Sequence, residues 1–202
     1  MAKSSVISNG VRDPNGAGCN GIPRRTRNDI IFHSLYSPDL VTMLKTGSIG
    51  VIPTDTIYGI SASAVNVKAI ERIYDIRGRD RSKPFIVLIS SIEDLTVFGI
   101  DLNDAARKEL ARIWPAPVSI ILPCSSKKFQ YLHRGTKSIA FRVPAWTPLR
   151  ALLKKTGPLV TTSVNPEGEK PASTIAQAKK YFNDQLDCYV DMGPRNGKSS
   201  TL

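Results

Sequence analysis

Short apolar runs that alternate with helix-like segments restrict the fold of this sequence more than any other feature does. Each run has the length and residue types of a buried strand, and the runs occupy residues 49–52, 84–90, 117–123, 138–144 and 157–164. Segments with helical periodicity or helix-boundary residues lie at 38–45, 67–77, 103–113, 147–155 and 173–182. Because some connections are too short for a parallel crossover, the pattern predicts an α/β protein whose mixed sheet is covered by helices.

Length and composition are consistent with one globular domain. Of the 202 residues, 41% are hydrophobic, which is enough for a substantial core. The first part of the chain, by contrast, is rich in glycine, asparagine, serine and proline and has no hydrophobic periodicity. We therefore predict a flexible basic extension at 1–29 and a folded domain at 30–202.

The sequence contains neither a membrane span nor a secretory signal. No window approaches the roughly 18 to 20 consecutive apolar residues of a span, and the N-terminus lacks the apolar core of a signal peptide. Three scattered cysteines offer neither a disulfide framework nor a metal knuckle. These features predict a cytoplasmic protein with no membrane partner.

The balance of charge is strongly positive. Lysine and arginine total 28 against 17 aspartates and glutamates, which gives a net charge of +11. Such a balance favours a polyanionic partner, such as RNA or a phosphate-rich ligand, although charge of this kind also serves simple solubility.

Polar side chains follow the first apolar run, in the stretch IPTDTIYGI at 52–60. Thr54, Asp55, Thr56 and Tyr58 are predicted to lie on a loop at the carboxyl end of that strand, where ligands bind in open α/β sheets. An ordinary Asp/Thr turn that caps itself explains this stretch, taken alone, equally well.

A cluster of cations occupies the stretch YDIRGRDRSKP, between a predicted helix and the next strand. Arg77, Arg79, Arg81 and Lys83 surround Gly78. The arginine fork matches phosphate oxygens, and lysine supplies a compact charge. Because four cations repel one another unless an anion lies among them, the cluster predicts a nucleotide phosphate or an RNA backbone here. A solvated loop is the alternative.

Small polar residues follow the last apolar run. The stretch VTTSVNPEG places Thr161, Thr162, Ser163 and Asn165 after the predicted strand, and GKSST near the C-terminus adds Ser200. Hydroxyl and amide groups at a strand end can hold a ligand together with backbone N–H groups. A turn that satisfies its own hydrogen bonds is the alternative for each stretch.

Three further features of the sequence bear on a possible site. Arg142 is the charged residue of the apolar run 138–144, and a buried guanidinium requires a partner. His33 and His133 are far apart in the sequence, so neither a histidine metal cage nor a serine–histidine–aspartate triad is indicated. The stretch GPRNGKS lacks the glycine spacing and the following helix of a phosphate-binding loop.

Together these motifs resemble the YrdC-like threonylcarbamoyl-AMP synthase family. The resemblance runs from about residue 35 to the C-terminus, and its motifs, in the family's order and spacing, are GVIPTDTIYGI, IRGRDRSKP, WPAPVSIILP, IAFRVP, LVTTSVNPEGEKPA and GKSST. It implies a twisted, open YrdC-like sheet with a basic concave face that holds a nucleotide and an amino acid. It also implies synthesis of L-threonylcarbamoyladenylate from L-threonine, bicarbonate and ATP, with release of pyrophosphate, for N6-threonylcarbamoyladenosine in tRNA.

The resemblance also implies a role for individual residues. Thr56 and Tyr58 would contact threonine, and Arg79 and Lys83 would be the catalytic cations on the phosphates. The implied nucleotide-binding residues are Arg77, Arg79, Lys83, Arg142, Ser163, Asn165 and Ser200. ATP would enter as a substrate with Mg²⁺ carried on its phosphates, and the protein would have no metal site of its own. The implied partners are downstream tRNA threonylcarbamoyl-transfer proteins, with a weak contact to tRNA.

The chain departs from the family pattern at several positions. Arg77 stands where lysine is usual, Ala116 replaces a glycine, and Val164 interrupts the usual Ser-Ala-Asn. The chain ends soon after Ser200, where relatives usually continue into another strand and a further arginine; if this is the whole protein, we expect weaker nucleotide binding. Two alternatives remain: a non-catalytic RNA-binding or ribosome-maturation module that uses the same basic concave face, and a related enzyme that acts on a different carbamoylated ligand.

Overall fold

A mixed β-sheet forms the centre of the protein. The computed structural model describes residues 30–198, 200 and 201, and the predicted basic extension at 1–29 lies outside them. Within the described residues the sheet has eight strands: β1 (Ile31–Phe32), β2 (Gly50–Pro53), β3 (Tyr58–Ser63), β4 (Ile86–Leu88), β5 (Ile120–Pro123), β6 (Ser138–Arg142), β7 (Leu159–Ser163) and β8 (Cys188–Val190).

The strands lie in the order β1-β8-β2-β3-β7-β4-β6-β5. β8 is parallel to both β1 and β2, and β4 is parallel to β6. The pairs β2–β3, β3–β7, β4–β7 and β5–β6 are antiparallel. The predicted mixed direction of the sheet is therefore confirmed. β3 and β7 occupy its centre, and their paired residues include Gly59 with Ser163.

Six α-helices cover the sheet in the described part of the chain: α1 (Pro38–Lys45), α2 (Val67–Arg77), α3 (Asp104–Ile113), α4 (Gln130–His133), α5 (Thr147–Thr156) and α6 (Ile175–Phe182). Short 3₁₀ segments lie at Ile92–Phe98, Lys127–Phe129 and Asn183–Gln185.

Local capping residues explain why the helices begin and end where they do. The Ser37 and Asn66 side chains accept hydrogen bonds from the backbone N–H groups of Leu40 and Ala69, at the starts of α1 and α2. Gly78 ends α2 in the left-handed conformation, with φ of 57°, which glycine adopts at little cost. These boundaries were predictable because each depends on residues within one turn of the helix end.

The central strands bury side chains on both faces of the sheet. Successive residues point to opposite faces, so Val51 joins one apolar cluster and Ile52 the other, as do Val160 and Leu159. The larger cluster contains side chains from α2 and α6, and the smaller one contains side chains from α1 and α5. A sheet covered on both faces explains why the predicted strands are continuous apolar runs.

Three strands were not predicted. β1 and β8 are short, and β3 begins at Tyr58, which the sequence had placed on a loop. Thr161, Thr162 and Ser163 likewise lie within β7 and do not follow it. β3 reads YGISAS, a stretch of small and hydroxyl residues, yet all six are buried because β2 and β7 flank it. Among the described residues, none of the helices has the length and apolar character required to cross a bilayer.

Candidate active site

The turn between β2 and β3 holds its hydroxyl groups in place by internal hydrogen bonds. The Thr54 hydroxyl donates to the carbonyl of Ile57 at 2.6 Å, and the hydroxyl groups of Thr54 and Thr56 are 2.9 Å apart. The two antiparallel strands present this turn at one end of the sheet. The motif is thus a self-capped turn that also lines a cavity, and its contact with a ligand stays a prediction.

Tyr58 is the first residue of β3, and it is fully buried. Its hydroxyl donates to the carbonyl of Gly193 at 2.7 Å and accepts from the backbone N–H of Met192 at 3.2 Å. Burial is the main cause that raises the pKa of Tyr58 above its ordinary value. The phenol therefore remains a neutral donor that fixes the segment beginning at Met192.

A cavity of about 230 Å³ opens beside this turn. The ends of β3, β4, β6 and β7 and the C-terminal segment contribute its walls. The residues that line it are Thr54, Thr56, Ile57, Tyr58, Gly59, Arg79, Pro84, Phe85, Ile86, Arg142, Thr161, Thr162, Ser163 and Ser200. The structure therefore brings together six of the predicted site residues: Thr56, Tyr58, Arg79, Arg142, Ser163 and Ser200.

Arg142 lies at the end of β6 and contributes a buried positive charge to the cavity wall. Its Nη2 is 3.1 Å from Oδ1 of Asp55, and the two side chains are only 3% and 6% exposed. The other carboxylate oxygen of Asp55 accepts the N–H of Ala145 at 3.0 Å. Desolvation by burial lowers the pKa of Arg142, while the charge of Asp55 raises it. Nε of Arg142 is buried without a hydrogen-bond partner, so the guanidinium retains an unused donor.

Arg79 is the second cation of the cavity wall. Its guanidinium lies over the ring of Phe85, 5.4 Å from the ring centroid, and forms long contacts of 3.3 and 3.4 Å to the carbonyls of Lys83 and Pro84. No carboxylate among the described residues forms an ion pair with it. The charge of Arg79 is therefore available to an anion in the cavity.

Arg77 and Asn165 lie beside the cavity and are not part of its lining. Arg77 is buried, its Nε donates to the carbonyl of Asn165 at 2.8 Å, and its Nη1 donates to the hydroxyl of Thr162. Burial first, and repulsion by Arg79 second, lower the pKa of Arg77 to about 10. Arg77 therefore stabilises the end of β7 and the loop after it, through its hydrogen bonds to Thr162 and Asn165.

Asn165 is also buried and mostly satisfied by its own loop. Its Nδ2 donates to the carbonyls of Pro166 and Glu169, both at 2.8 Å, while its Oδ1 has no partner. The unused acceptor is consistent with a ligand donor nearby, which keeps the predicted role of Asn165 open.

Lys83 and Arg81, the remaining cations of the predicted cluster, are not part of the cavity lining. Lys83 is 53% exposed and forms an ion pair with Glu167, an acid that is far away in the sequence. Arg81 pairs with Glu71 and Asp75 on α2. The expectation of four cations around one anion is therefore wrong for this structure: each has a different environment, and Arg79 alone of the four lines the cavity.

The C-terminal segment crosses the site. Arg195 lies over the ring of Trp146 at 4.4 Å, and the backbone N–H of Ser119 donates to the carbonyl of Thr201 at 2.8 Å. Between these two anchors Ser200 reaches the cavity. Gly197 passes so close to the turn that a Cβ there would lie 2.1 Å from the carbonyl oxygen of Thr56. Only glycine permits this approach.

Sequence reasoning missed two kinds of residue at this site. Phe85 and Ile86 form an apolar wall of the cavity, although the sequence indicates only that residues 84–90 form a buried strand. Asp55 was noted for its position, but its role as the partner of Arg142 was not. The sequence does contain a signal for this pair: Arg142 lies in an apolar run, and a buried guanidinium requires an acidic partner.

The fold and the cavity define an α/β domain whose candidate site combines two arginines with several hydroxyl-bearing residues. Comparison with known proteins makes this class more specific. The family model Sua5_yciO_yrdC, described as "Telomere recombination", matches residues 42–202. The chain therefore belongs to the Sua5/YciO/YrdC family, which confirms the family resemblance and the YrdC-like fold.

Individual relatives carry more specific names. A threonylcarbamoyl-AMP synthase of Marinobacter nauticus is 37% identical over 151 residues, which cover 74% of this chain and 79% of the relative. A threonylcarbamoyl-AMP synthase of Pyrococcus abyssi is 29% identical over 161 residues, covering 79% of this chain and 47% of the relative. The chain thus spans about half the length of the archaeal protein.

A solved structure provides a further likeness. The crystal structure of P. abyssi Sua5 complexed with L-threonine superposes with a TM-score of 0.76 at 26% identity. The superposition covers 85% of this chain and 53% of that one. The fold is therefore shared over most of this chain.

Proposed function

We propose that the protein is a threonylcarbamoyl-AMP synthase. The amine of L-threonine and bicarbonate form a carbamate with loss of water. A carbamate oxygen then attacks the α-phosphorus of ATP, and the bond from that phosphorus to the bridging oxygen breaks. Pyrophosphate leaves with the electron pair, and threonylcarbamoyl-AMP remains.

One observation carries the proposal: two arginines and several threonine and serine residues line one cavity in a chain 37% identical to a protein of that name. The related Sua5 structure contains L-threonine. No comparison supports the non-catalytic RNA-binding alternative.

The cavity suggests a division of roles. The hydroxyl of Thr56, already oriented by Thr54, would contact the amino acid, and Tyr58 would fix that wall. Arg142 would neutralise a carboxylate or carbamate with its unused Nε donor. Arg79 would stabilise the negative charge that develops on the phosphates, and Ser163 and Ser200 would contact the nucleotide. No covalent nucleophile is needed, since positioning and charge neutralisation suffice.

Mg²⁺ would enter with ATP as part of the substrate. Asp55, between the cavity-lining residues Thr54 and Thr56, is engaged by Arg142 and by the N–H of Ala145. Among the described residues there is no group of three or more potential metal ligands. The ion would therefore be held by the phosphates, where it neutralises charge and orients the leaving pyrophosphate.

The product would serve tRNA modification. A mixed anhydride of this kind is reactive, so a transferase that moves the threonylcarbamoyl group to adenosine in tRNA is the expected partner. Direct contact of this chain with tRNA, and a cytoplasmic location, belong to the same proposal.

The test is threonine-dependent pyrophosphate release from purified protein, ATP and bicarbonate. Threonine should give the highest rate, because a pocket with both hydroxyl and apolar walls rewards its hydroxyl and its methyl group. The methyl should change the relative rate by roughly 10- to 200-fold over serine. Equal rates with serine or glycine would contradict the assignment, and a product that lacks AMP would point to the related enzyme instead.

A further inference from the structure

Glu167 connects two loops beside the cavity through its carboxylate. One oxygen, Oε1, accepts a hydrogen bond from the ammonium group of Lys83, and the other, Oε2, accepts the backbone N–H of Asp80 at 2.9 Å. The backbone N–H of Glu167 also donates to the carbonyl of Arg77, at 3.2 Å. The loop after β7 is thus attached to the loop after α2 by three hydrogen bonds.

The groups that surround this carboxylate are those that bind a phosphate oxygen. A lysine ammonium and a backbone N–H both donate to it, and each can donate to any other anion. The pKa of Glu167 is lowered, chiefly by the hydrogen bond from Lys83 and then by the N–H of Asp80, with a smaller contribution from the charge of Arg79. The carboxylate thus occupies a position of positive potential at an exposed site.

This position adjoins the cavity without being inside it. Arg79, which lines the cavity, contacts the carbonyls of Lys83 and Pro84, and Pro84 lines the cavity as well. A polyphosphate chain that starts at Arg79 and leaves the cavity would therefore pass the backbone segment that carries Lys83. The ammonium group of that lysine is already bound to Glu167.

We propose that Glu167 is an internal competitor: its carboxylate occupies an anion subsite, formed by the Lys83 ammonium and the Asp80 N–H, that a substrate phosphate must take over. The assignment of that phosphate to ATP rests on the proposed function. Glu167 therefore determines how tightly the outer phosphates are held. It weakens the binding of pyrophosphate and so favours release of that product.

The test is a calorimetric titration with inorganic pyrophosphate, which needs no turnover. Wild type, Glu167→Gln and Glu169→Gln are compared at one ionic strength, and thermal melts confirm that each is folded. Glu169 is the matched control: it is exposed, lies in the same loop and loses the same charge, and its described contacts are backbone ones. Glu167→Gln should bind pyrophosphate roughly two- to fivefold more tightly, the scale of an exposed ion pair, and Glu169→Gln should differ little from wild type.

A second comparison, made in a Lys83→Ala protein, distinguishes competition at this subsite from a general effect of charge. In a Lys83→Ala protein, Glu167→Gln should no longer tighten binding, since the donor for which carboxylate and phosphate compete is gone. Weaker or unchanged binding in Glu167→Gln, equal tightening in Glu169→Gln, or tightening that persists without Lys83 would each overturn the proposal. Failure of both wild type and Glu167→Gln to bind pyrophosphate would overturn it too.

The same proteins are then assayed for threonine-dependent pyrophosphate release. If wild type shows none but Glu167→Gln still binds pyrophosphate more tightly, the synthase assignment fails and the anion subsite stands. If wild type is active and Glu167→Gln is more strongly inhibited by added pyrophosphate, both stand. An active wild type whose inhibition is the same in Glu167→Gln contradicts the competitor role alone.

Discussion

Arg142 and Asp55 form a buried ion pair across the top of the sheet, with Nη2 and Oδ1 3.1 Å apart. Arg142 ends β6, and Asp55 lies in the β2–β3 turn, so the pair joins two strands that are not neighbours in the sheet. Because Arg142 also lines the cavity, one contact belongs both to the fold and to the candidate site.

Asp55→Ala should therefore destabilise the protein by about 3 kcal/mol, since it leaves an uncompensated charge in the interior. Urea unfolding measures the change. Asp55→Ala combined with Arg142→Met should recover much of the loss, because the unpaired charge is then absent. A single mutant that is as stable as wild type would show that solvent reaches Arg142.

Arg79→Ala should slow threonine-dependent pyrophosphate release by roughly 10²-fold, the scale for removing a preorganised electrostatic contact. Arg81→Ala is the control, because this neighbouring arginine is bound to Glu71 and Asp75 away from the cavity. It should retain a rate close to that of wild type. Equal losses in the two variants would mean that the loop acts by its net charge and not by the placement of Arg79.

Gly197→Ala should dislodge the C-terminal segment, because the added Cβ would lie 2.1 Å from the carbonyl oxygen of Thr56. We expect faster tryptic cleavage at Arg195 and Lys198 and a higher KM for ATP, with the melting temperature nearly unchanged. Asn196→Ala, at the exposed neighbouring position, should show neither effect. Normal protease resistance in Gly197→Ala would indicate that the segment adjusts without leaving the site.

Cys188 should make stability fall with rising pH. Burial raises the pKa of its thiol from 9.0 to about 12, so above pH 9.0 the unfolded chain loses a proton that the folded protein keeps. The unfolded state is then favoured, and the free energy of unfolding declines between these two pH values. Urea melts of wild type and Cys188→Ala from pH 8 to 11 should show a steeper decline in wild type. Parallel curves would mean that the thiol ionises in the folded protein.

The sequence by itself determined five of the six helices in the described part of the chain, the apolar strands and the family; the one-turn helix α4 was not predicted. Ser37, Asn66 and Gly78 specify helix ends through contacts within one turn, so α1 and α2 have the predicted bounds. The apolar run at 138–144 has the length and residue types of a buried strand, whatever its neighbours in the sheet. The order of the motifs along the chain identifies the family. These features are local, or depend only on position along the chain.

The tertiary structure alone decided β3 and the partners of the charged residues. The sequence YGISAS has weak strand character, and it is buried as a strand because β2 and β7 offer it hydrogen bonds on both sides. Arg142 could have paired with any acid, and Lys83 could have stayed solvated, until the sheet order brought Asp55 and Glu167 within reach. An ion pair depends on a distance in space, and that distance is set by the packing of the whole domain.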